Sequence, residues 1–365
     1  MSNTVLDKFL ELQQASQDET FKMWGRFLNA PKVPEIAQEV QVATTPHDVV
    51  YEEGTLKLLR YHNELSIDLA EPVLVCFALV NRPYILDLQP EHSVVRQLLK
   101  RGFDVYLIDW GVPTAADRTL GLSDYVCGFL KHVTDFVCEH SNSQQLNLLG
   151  YCMGGTMSTM LTALDSQRVR NLILMAAPID FSGDEGLLQI WTDEKYFDVD
   201  GLIDAFGNCP GSFLQSSFQL MKPVQNFVEK YNTFYENMHS DQFLDNFFAM
   251  ERWGNDNIPV AGETFREFVK MLYQKNMLVR DEMRLADTPV HLDQIKCPLL
   301  MLVAEFDHLV PPSSTLALRE HVRSKEIKEM VINAGHIGLA VSSKAHRQLW
   351  PDAAMWIADH STPRH

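Results

Sequence analysis

Short apolar runs alternate with longer amphipathic stretches along most of the chain. The runs rich in Val, Ile and Leu are residues 73–80, 103–110, 146–150, 171–179, 298–307 and 328–336. Uniformly apolar strands separated by helical segments are typical of a parallel sheet covered on both faces. Residues 93–102 have helical spacing and end in Gly102, where the C-terminal cap of a helix is expected. The pattern predicts a mostly parallel, doubly wound α/β sheet.

Two segments depart from this alternation. Residues 49–62 have the pattern of an antiparallel strand pair at the sheet edge. Between Ile179 and Pro298 the rhythm breaks, and aromatic residues recur mostly at helical spacing: Trp191, Tyr196, Phe197, Phe206, Phe213, Phe218, Phe227, Tyr231, Phe234, Tyr235, Phe243, Phe247, Phe248 and Trp253. We expect a helical insertion here. It is either a subdomain that packs on itself or a lid that excludes water above the sheet, and the two are compatible.

Composition and charge narrow the class of protein. Of the 365 residues, 46% are apolar and 22% are charged, as in a globular protein with a sizeable core. The formal charge of −17 gives no electrostatic basis for binding nucleic acid. The apolar runs are far shorter than the ~18 to 20 residues of a membrane span, and the first residues are too polar for a signal peptide. We therefore expect a cytoplasmic protein with no membrane span and no nucleic-acid partner.

Six cysteines are scattered along the chain, namely Cys76, Cys127, Cys138, Cys152, Cys209 and Cys297. Their spacing predicts neither a metal site nor a disulfide framework. Five of them are expected to be small buried side chains. Cys152 differs, because in the segment LNLLGYCMGGTMS it lies between a predicted strand and a predicted helix, with Gly150 and Gly154 on either side.

A nucleophile flanked in this way is the nucleophile elbow of the α/β-hydrolase fold, with Cys replacing Ser. The tight turn lifts the Cys152 side chain to the end of the strand, where the N-terminus of the following helix favours a thiolate. The backbone amide of Met153 is expected to donate to a tetrahedral oxyanion. The second donor is expected near Val80, beside Asn81.

In this fold the acid and the histidine follow the nucleophile in chain order, each after a strand. Asp307 follows one predicted strand in DHLVPP, and His336 follows the last one in AGHIGL. His308 is either a solvated neighbour of Asp307 or a residue that supports the site. The set predicts acyl transfer through a covalent thioester on Cys152. A thiol suits transfer better than hydrolysis, because exchange between two thioesters is nearly isoenergetic and the product stays activated.

Five segments give the chain a family resemblance. They are FALVNRPYILDL (77–88), GFDVYLIDWG (102–111), NLLGYCMGGT (147–156), DHLVPP (307–312) and AGHIG (334–338). From about Thr45 onward the chain resembles polyhydroxyalkanoate synthases. Its length is similar to that of the short catalytic subunit of the two-component synthases, class III or class IV, between which the motifs do not decide. Ala334 stands where many relatives have a second glycine, a small-for-small change.

The resemblance implies polymerisation of (R)-3-hydroxyacyl-CoA, commonly 3-hydroxybutyryl-CoA, into a polyester. Coenzyme A is then a leaving group, and no cofactor is implied. Carried over by motif, Cys152 is the nucleophile and His336 its general base. Asp307 either helps to activate the 3-hydroxyl of the next acyl unit, as proposed for the family, or orients the imidazole, as in a general triad. Asn81 and His308 are expected to contact the substrate or to support these residues.

The resemblance also implies partners and a domain division. We expect an N-terminal helical segment (1–44), an α/β-hydrolase core (45–181 and 291–365) and a lid (182–290). Short synthases depend on a dissimilar accessory subunit and associate with polyester granules, and a dimer or higher oligomer is possible. Apolar stripes at helical spacing near the N-terminus either pack on their own domain or bind that subunit. Their residues are Val5, Leu6, Phe9, Leu12, Phe21, Trp24, Phe27 and Leu28.

Two other classes of protein remain open from the residues. A Cys-dependent thioesterase or dienelactone hydrolase-like enzyme would use the same triad and release free acid. A non-catalytic α/β-hydrolase relative would bind a ligand or a partner without chemistry, which the ordered Cys152, Asp307 and His336 set argues against.

Overall fold

One eight-stranded sheet organises the larger part of the molecule. The computed structural model describes residues 22–23, 25–26, 28–183 and 186–364. Its strands are β1 (His47–Glu53), β2 (Leu56–Tyr61), β3 (Val73–Cys76), β4 (Asp87–Gln89), β5 (His92–Ser93), β6 (Val105–Asp109), β7 (Leu146–Tyr151), β8 (Val169–Met175), β9 (Arg284–Leu285), β10 (Thr288–Pro289), β11 (Leu299–Ala304) and β12 (Ile327–Ile332). The large sheet has the order β1-β2-β6-β3-β7-β8-β11-β12, while β4 with β5 and β9 with β10 form small hairpins.

The sheet is antiparallel at one edge and parallel elsewhere. Strand β1 pairs with β2, and β2 with β6, in antiparallel register. The pairs from β6 through β3, β7, β8 and β11 to β12 are all parallel. The mostly parallel α/β sheet and its antiparallel edge pair are therefore confirmed.

The helices of the described residues cover this sheet and fill the insertion. They are α1 (Val33–Glu39), α2 (Val94–Lys100), α3 (Lys131–His140), α4 (Met153–Leu164), α5 (Leu187–Trp191), α6 (Val199–Phe206), α7 (Gly211–Met221), α8 (Lys230–Asn237), α9 (Asp241–Asn255), α10 (Gly262–Glu267), α11 (Pro312–Leu316), α12 (Gly338–Val341) and α13 (Trp350–Asp359). The predicted helix at 93–102 is confirmed as α2. The Ser93 hydroxyl caps it by accepting a hydrogen bond from the Arg96 amide, and Gly102 follows it with φ +91°.

Strand β3 is shorter than the apolar run that predicted it. The run continues to Val80, whereas the strand ends at Cys76. Beyond it, the carbonyl of Phe77 accepts a hydrogen bond of 2.9 Å from the Trp110 indole, and Asn81 adopts φ +65°. Apolar residues 77–79 remain buried although they no longer pair with neighbouring strands. The apolar pattern therefore does not show where the strand ends. The segment instead becomes a loop beside the nucleophile.

The chain divides into two compact units. The larger comprises Ala43–Leu214 and Asp256–His365, and the smaller comprises the residues up to Val42 with Gln215–Asn255. In the smaller unit Phe234, Phe247 and Phe248 pack on one another, with ring centroids 4.6–6.0 Å apart. These insertion aromatics thus form a core of their own, while the role of residues 182–290 as a lid stays a prediction.

The stretch from the end of α7 through the helical segment Gln225–Glu229 into α8 carries apolar side chains at helical spacing, each more than half exposed. They are Leu220, Val224, Phe227, Val228, Tyr231 and Tyr235. Most of the N-terminal stripe residues, from Val5 to Phe27, lie outside the described residues, and Leu28 is exposed. Within the described residues, every helix is too short or too polar to cross a lipid bilayer.

Candidate active site

Cys152 forms the turn between β7 and α4. It has φ +54° and ψ −127°, a conformation that a residue with a Cβ adopts at a cost of about 1–3 kcal/mol. The turn places its side chain, which is partly exposed, between a fully buried strand and the first turn of a fully buried helix. The backbone strain is therefore confined to Cys152, whose side chain projects from the turn.

Three glycines allow this turn to be so tight. A Cβ at Gly150 would lie 2.4 Å from the Gly155 Cα, and one at Gly155 would lie 2.3 Å from the Ala177 Cβ. A Cβ at Gly154 would lie 2.2 Å from the carbonyl oxygen of Cys76. Real Cβ contacts are never this short, so α4 can lie against β3 and β7 because these positions carry no side chain.

Asp307 and His336 form a buried hydrogen-bonded pair. The distance from His336 Nδ1 to Asp307 Oδ2 is 2.7 Å. The other carboxylate oxygen, Oδ1, accepts hydrogen bonds from the backbone amides of Leu309 and Val310, at 2.9 and 2.8 Å. Both oxygens of Asp307 are therefore engaged, and the imidazole is held with its Nδ1–H toward the carboxylate.

The charges around His336 favour its protonated form. Burial by itself would lower the pKa of His336, but the negative charges of Asp307 and then Cys152, with hydrogen bonds to both, raise it to about 10. The imidazole thus bonds to the Asp307 carboxylate and lies close enough to Cys152 for a charge on the sulfur to raise its pKa. The three residues that the sequence predicted as a triad are brought together in the order Cys152, His336, Asp307.

Tyr151, directly before the nucleophile, also holds His336. Its ring stacks on the imidazole, with centroids 5.1 Å apart and planes 23° apart, and its hydroxyl donates to the His336 carbonyl oxygen at 3.1 Å. The ring of Phe77 packs edge-on against Tyr151 at 5.6 Å. The sequence analysis did not single out Tyr151. Its position inside G-x-C-x-G, directly before Cys152, was the available signal.

The predicted oxyanion donors lie on the two segments that meet at Gly154. Met153 is the first residue of α4, where a backbone amide has no acceptor within its own helix. Val80 lies in the loop after β3, and Asn81 follows it with a buried side-chain Oδ1. His308 is exposed beside the buried Asp307. The roles of these four residues stay predictions.

Tyr273 is a second residue that the sequence analysis missed. Burial, and then the charges of Cys152 and Asp307, raise its pKa. Its ring packs against Phe181 at 4.8 Å and Phe268 at 6.0 Å. The Asn276 side chain connects this segment to the loop after β8, because its Oδ1 accepts a hydrogen bond of 3.0 Å from the Phe181 amide.

The other thiols have environments that oppose ionisation. Burial raises the pKa of each of them, namely Cys76, Cys127, Cys138, Cys209 and Cys297. For Cys76 and Cys209 the pKa rises to about 12. Such thiols are poor nucleophiles at neutral pH, because the thiolate is the reactive form. Among the described residues there is also no His, Cys, Asp and Glu grouping that could hold a metal ion.

Comparison with known proteins identifies the family. A family model described as the alpha/beta hydrolase fold matches residues 71–342, and one described as the poly-beta-hydroxybutyrate polymerase (PhaC) N-terminus matches residues 32–98. The chain is 44% identical to the poly(3-hydroxyalkanoate) polymerase subunit PhaC of Haloferax mediterranei, over 96% of this chain and 72% of that protein. The chain belongs to the poly(3-hydroxyalkanoate) polymerase PhaC family.

A shorter relative in the PhaC family matches nearly end to end. The poly(3-hydroxyalkanoate) polymerase subunit PhaC of Synechocystis is 40% identical over 88% of this chain and 86% of that protein. The chain is therefore a poly(3-hydroxyalkanoate) polymerase, an acyltransferase, of the short type. This agrees with the resemblance carried by its five motifs.

The comparison with solved structures confirms the fold of this polymerase. A structure described in a study of Nitrososphaera gargenis carboxylesterases covers 86% of this chain and 98% of its own, with a TM-score of 0.52. At 15% identity this likeness shows the α/β-hydrolase fold alone.

Proposed function

We propose that Cys152, His336 and Asp307 carry the polymerase reaction, with (R)-3-hydroxyacyl-CoA, and in particular 3-hydroxybutyryl-CoA, as substrate. The observation that carries the proposal is the 2.7 Å hydrogen bond between His336 and Asp307, beside a Cys152 that is held at φ +54° and close enough to raise the pKa of His336. Such an arrangement activates a thiol for attack on an acyl group.

In the first step the Cys152 sulfur attacks the thioester carbonyl carbon. A bond from carbon to Cys152 Sγ forms, the bond to the CoA sulfur breaks, and the CoA thiolate takes a proton from the His336 imidazolium. The amides of Met153 and Val80 stabilise the oxyanion between these events. The raised pKa of His336 supports this assignment, because the imidazole is then protonated at neutral pH and holds the proton that the leaving CoA sulfur needs.

In the second step a 3-hydroxyl attacks the acyl-Cys152 thioester. The now neutral His336 takes the hydroxyl proton, an ester bond forms, and Cys152 leaves. Asp307 acts through the imidazole in this scheme. Its two oxygens already accept from His336 and from the amides of Leu309 and Val310, which favours orienting His336 over direct activation of the hydroxyl.

The test is CoA release from (R)-3-hydroxybutyryl-CoA, with analysis of the acyl product. We expect polyester from the wild-type chain and none from Cys152→Ala, with Cys297→Ala as a control that removes a thiol whose pKa burial raises to about 11. CoA release with free 3-hydroxybutyrate alone would place the chain with Cys-dependent hydrolases and contradict the proposal.

An accessory subunit and a polyester granule in the cytoplasm are part of the proposal. Relatives of this chain are named subunits of a polymerase, which supports a dissimilar partner. We assign the contact to the N-terminal apolar stripe that begins at Val5. Pull-down with the candidate subunit should lose the complex when residues 1–30 are deleted, and should keep it when the apolar stripe residues are retained but the polar residues between them are replaced.

We further propose that the insertion covers Cys152 and excludes water from the acyl-enzyme. The burial of Tyr273 supports this role, because its ring packs on Phe181 and its pKa responds to the charges of Cys152 and Asp307. Protease cleavage within residues 182–290 should lower turnover and polymer length together. Unchanged turnover and product length after complete cleavage would contradict the lid.

A further inference from the structure

Asn81 carries a buried polar atom with no hydrogen-bond donor among the described residues. The residue as a whole is partly exposed, whereas its Oδ1 is buried and unpaired. Buried oxygens in folded proteins are nearly always hydrogen-bonded to protein, water or a ligand. The free oxygen therefore needs an explanation.

The backbone does not explain why this residue is asparagine. Asn81 has φ +65°, in the left-handed region that glycine adopts most readily. Asparagine is tolerated there chiefly because its side chain can bond to nearby backbone groups. In the part of the chain that the structure describes, Asn81 makes no such bond. The positive φ of Asn81 is therefore not compensated by a hydrogen bond from its side chain to the nearby backbone.

The loop that holds Asn81 lies between the nucleophile and the histidine. On one side, the Phe77 carbonyl oxygen lies 2.6 Å from where a Gly154 Cβ would be. On the other side, the short helix Pro83–Leu86 contacts α12, which begins two residues after His336. Asn81 is two residues from Pro83 and directly follows Val80, so it sits within the catalytic neighbourhood.

We infer that the Oδ1 of Asn81 accepts a hydrogen bond from the 3-hydroxyl of the acyl group on Cys152, which makes Asn81 a specificity-determining residue. The inference rests on the proposed function. The hydroxyl is the one hydrogen-bond donor of a 3-hydroxybutyryl group, and it is two carbons from the carbonyl carbon whose oxygen the Val80 amide binds in that proposal. A site with a buried acceptor for a substrate hydroxyl discriminates against the analogue that lacks it, because the acceptor is then left unpaired.

The test compares the first-turnover rate of CoA release from (R)-3-hydroxybutyryl-CoA and from butyryl-CoA in the full chain. We expect the wild type to prefer the hydroxylated thioester by about 10-fold or more, the size of one hydrogen bond to a buried group. Asn81→Gly keeps the backbone conformation and should bring the preference close to 1 by slowing the hydroxylated thioester. The control is Asn142→Gly, an exposed asparagine at φ +55° on the surface, which should leave the preference unchanged.

Three results would overturn the inference. They are a wild type without preference, an Asn81→Gly variant that retains the wild-type preference, and an equal slowing with both thioesters, which would mean that the side chain merely shapes the loop. The proposed function fails differently, through CoA release by Cys152→Ala at the wild-type rate. The two failures can therefore be told apart in one set of assays.

Discussion

Tyr151 holds His336 at both its ring and its backbone. The phenol ring stacks on the imidazole with centroids 5.1 Å apart, and the same residue's hydroxyl donates to the His336 carbonyl oxygen at 3.1 Å. Tyr151, directly before Cys152, thus fixes the position of His336, the proposed general base. This relationship makes the position of His336 depend on the strand that carries Cys152.

Removing this contact should lower turnover in two steps. Tyr151→Phe keeps the stacked ring and loses one hydrogen bond, so we expect turnover to fall by about 3- to 10-fold. Tyr151→Ala loses the ring as well and should fall by about 100-fold or more, because the imidazole is no longer oriented. Steady-state CoA release measures both. Equal losses in the two variants would contradict a role for the stacked ring.

Asp307→Asn should reduce turnover and change the pH dependence of stability. We expect a loss of about 10³-fold in CoA release, since an amide neither stabilises the imidazolium nor fixes its tautomer. The pKa of His336 is raised to about 10 in the folded chain, above its usual 6.5. The stability from that protonated pair is complete below about pH 6.5 and is lost as the pH rises through about 10.

Urea unfolding of wild type and Asp307→Asn at several pH values tests the sign. The difference in free energy of unfolding should be largest near pH 6.5 and should shrink by on the order of 2 kcal/mol toward pH 10. A difference that grows with pH would contradict the direction assigned to His336. His346, whose pKa burial lowers, provides a control through His346→Asn, which should not reproduce this trend.

Cys152→Gly should stabilise the fold relative to Cys152→Ala. Both variants lack the thiol and should lose CoA release by at least about 10³-fold. Alanine keeps a Cβ at φ +54°, whereas glycine relieves that strain, and the greater chain entropy of unfolded glycine offsets part of the gain. We expect glycine to be more stable by about 1 kcal/mol, measured by urea unfolding. An alanine variant of equal or higher stability would mean that the turn stores no strain.

Gly154→Ala should destabilise the fold, whereas Gly128→Ala should not. A Cβ at Gly154 would collide with the Cys76 carbonyl oxygen, and backbone has to move to admit it. We expect a loss of about 1–3 kcal/mol. Gly128, in the helical segment Asp124–Leu130, has no atom within 4 Å of the added Cβ, so alanine there should be neutral or stabilising by about 0.5–1 kcal/mol. Thermal unfolding of both variants gives the comparison.

Tyr273→Ala should divert acyl groups to water. Loss of the ring leaves a cavity beside Phe181 and Phe268, and in the proposed lid water that enters there competes with the 3-hydroxyl. We expect the ratio of free 3-hydroxybutyrate to polyester to rise by about 10-fold. Tyr273→Phe keeps the packing and should stay within about twofold of the wild type. A ratio that Ala and Phe raise equally would assign the effect to the hydroxyl and contradict a water barrier.

The sequence predicted the features that depend on repeating patterns. The alternation of apolar runs predicted the sheet, and the glycines around Cys152 together with the chain order of Asp307 and His336 predicted the three residues proposed as the triad. Contacts between segments distant in the chain were not predictable in this way. The stacking of Tyr151 on His336 and the approach of Tyr273 depend on how side chains meet in space, and the apolar run through Val80 does not reveal that β3 ends at Cys76.

Strand β12 is at the edge of the described sheet and pairs with β11, whereas β7 lies inside it with all six residues buried. Cys152 therefore follows a buried central strand, whereas His336 follows an edge strand, and we expect the edge strand to unfold locally at a lower free energy than the central one. Mild heating or a low urea concentration should abolish turnover while the central strands around Cys152 remain folded. Under such conditions the protein would be folded, inactive and still able to take up a thiol-reactive label at Cys152.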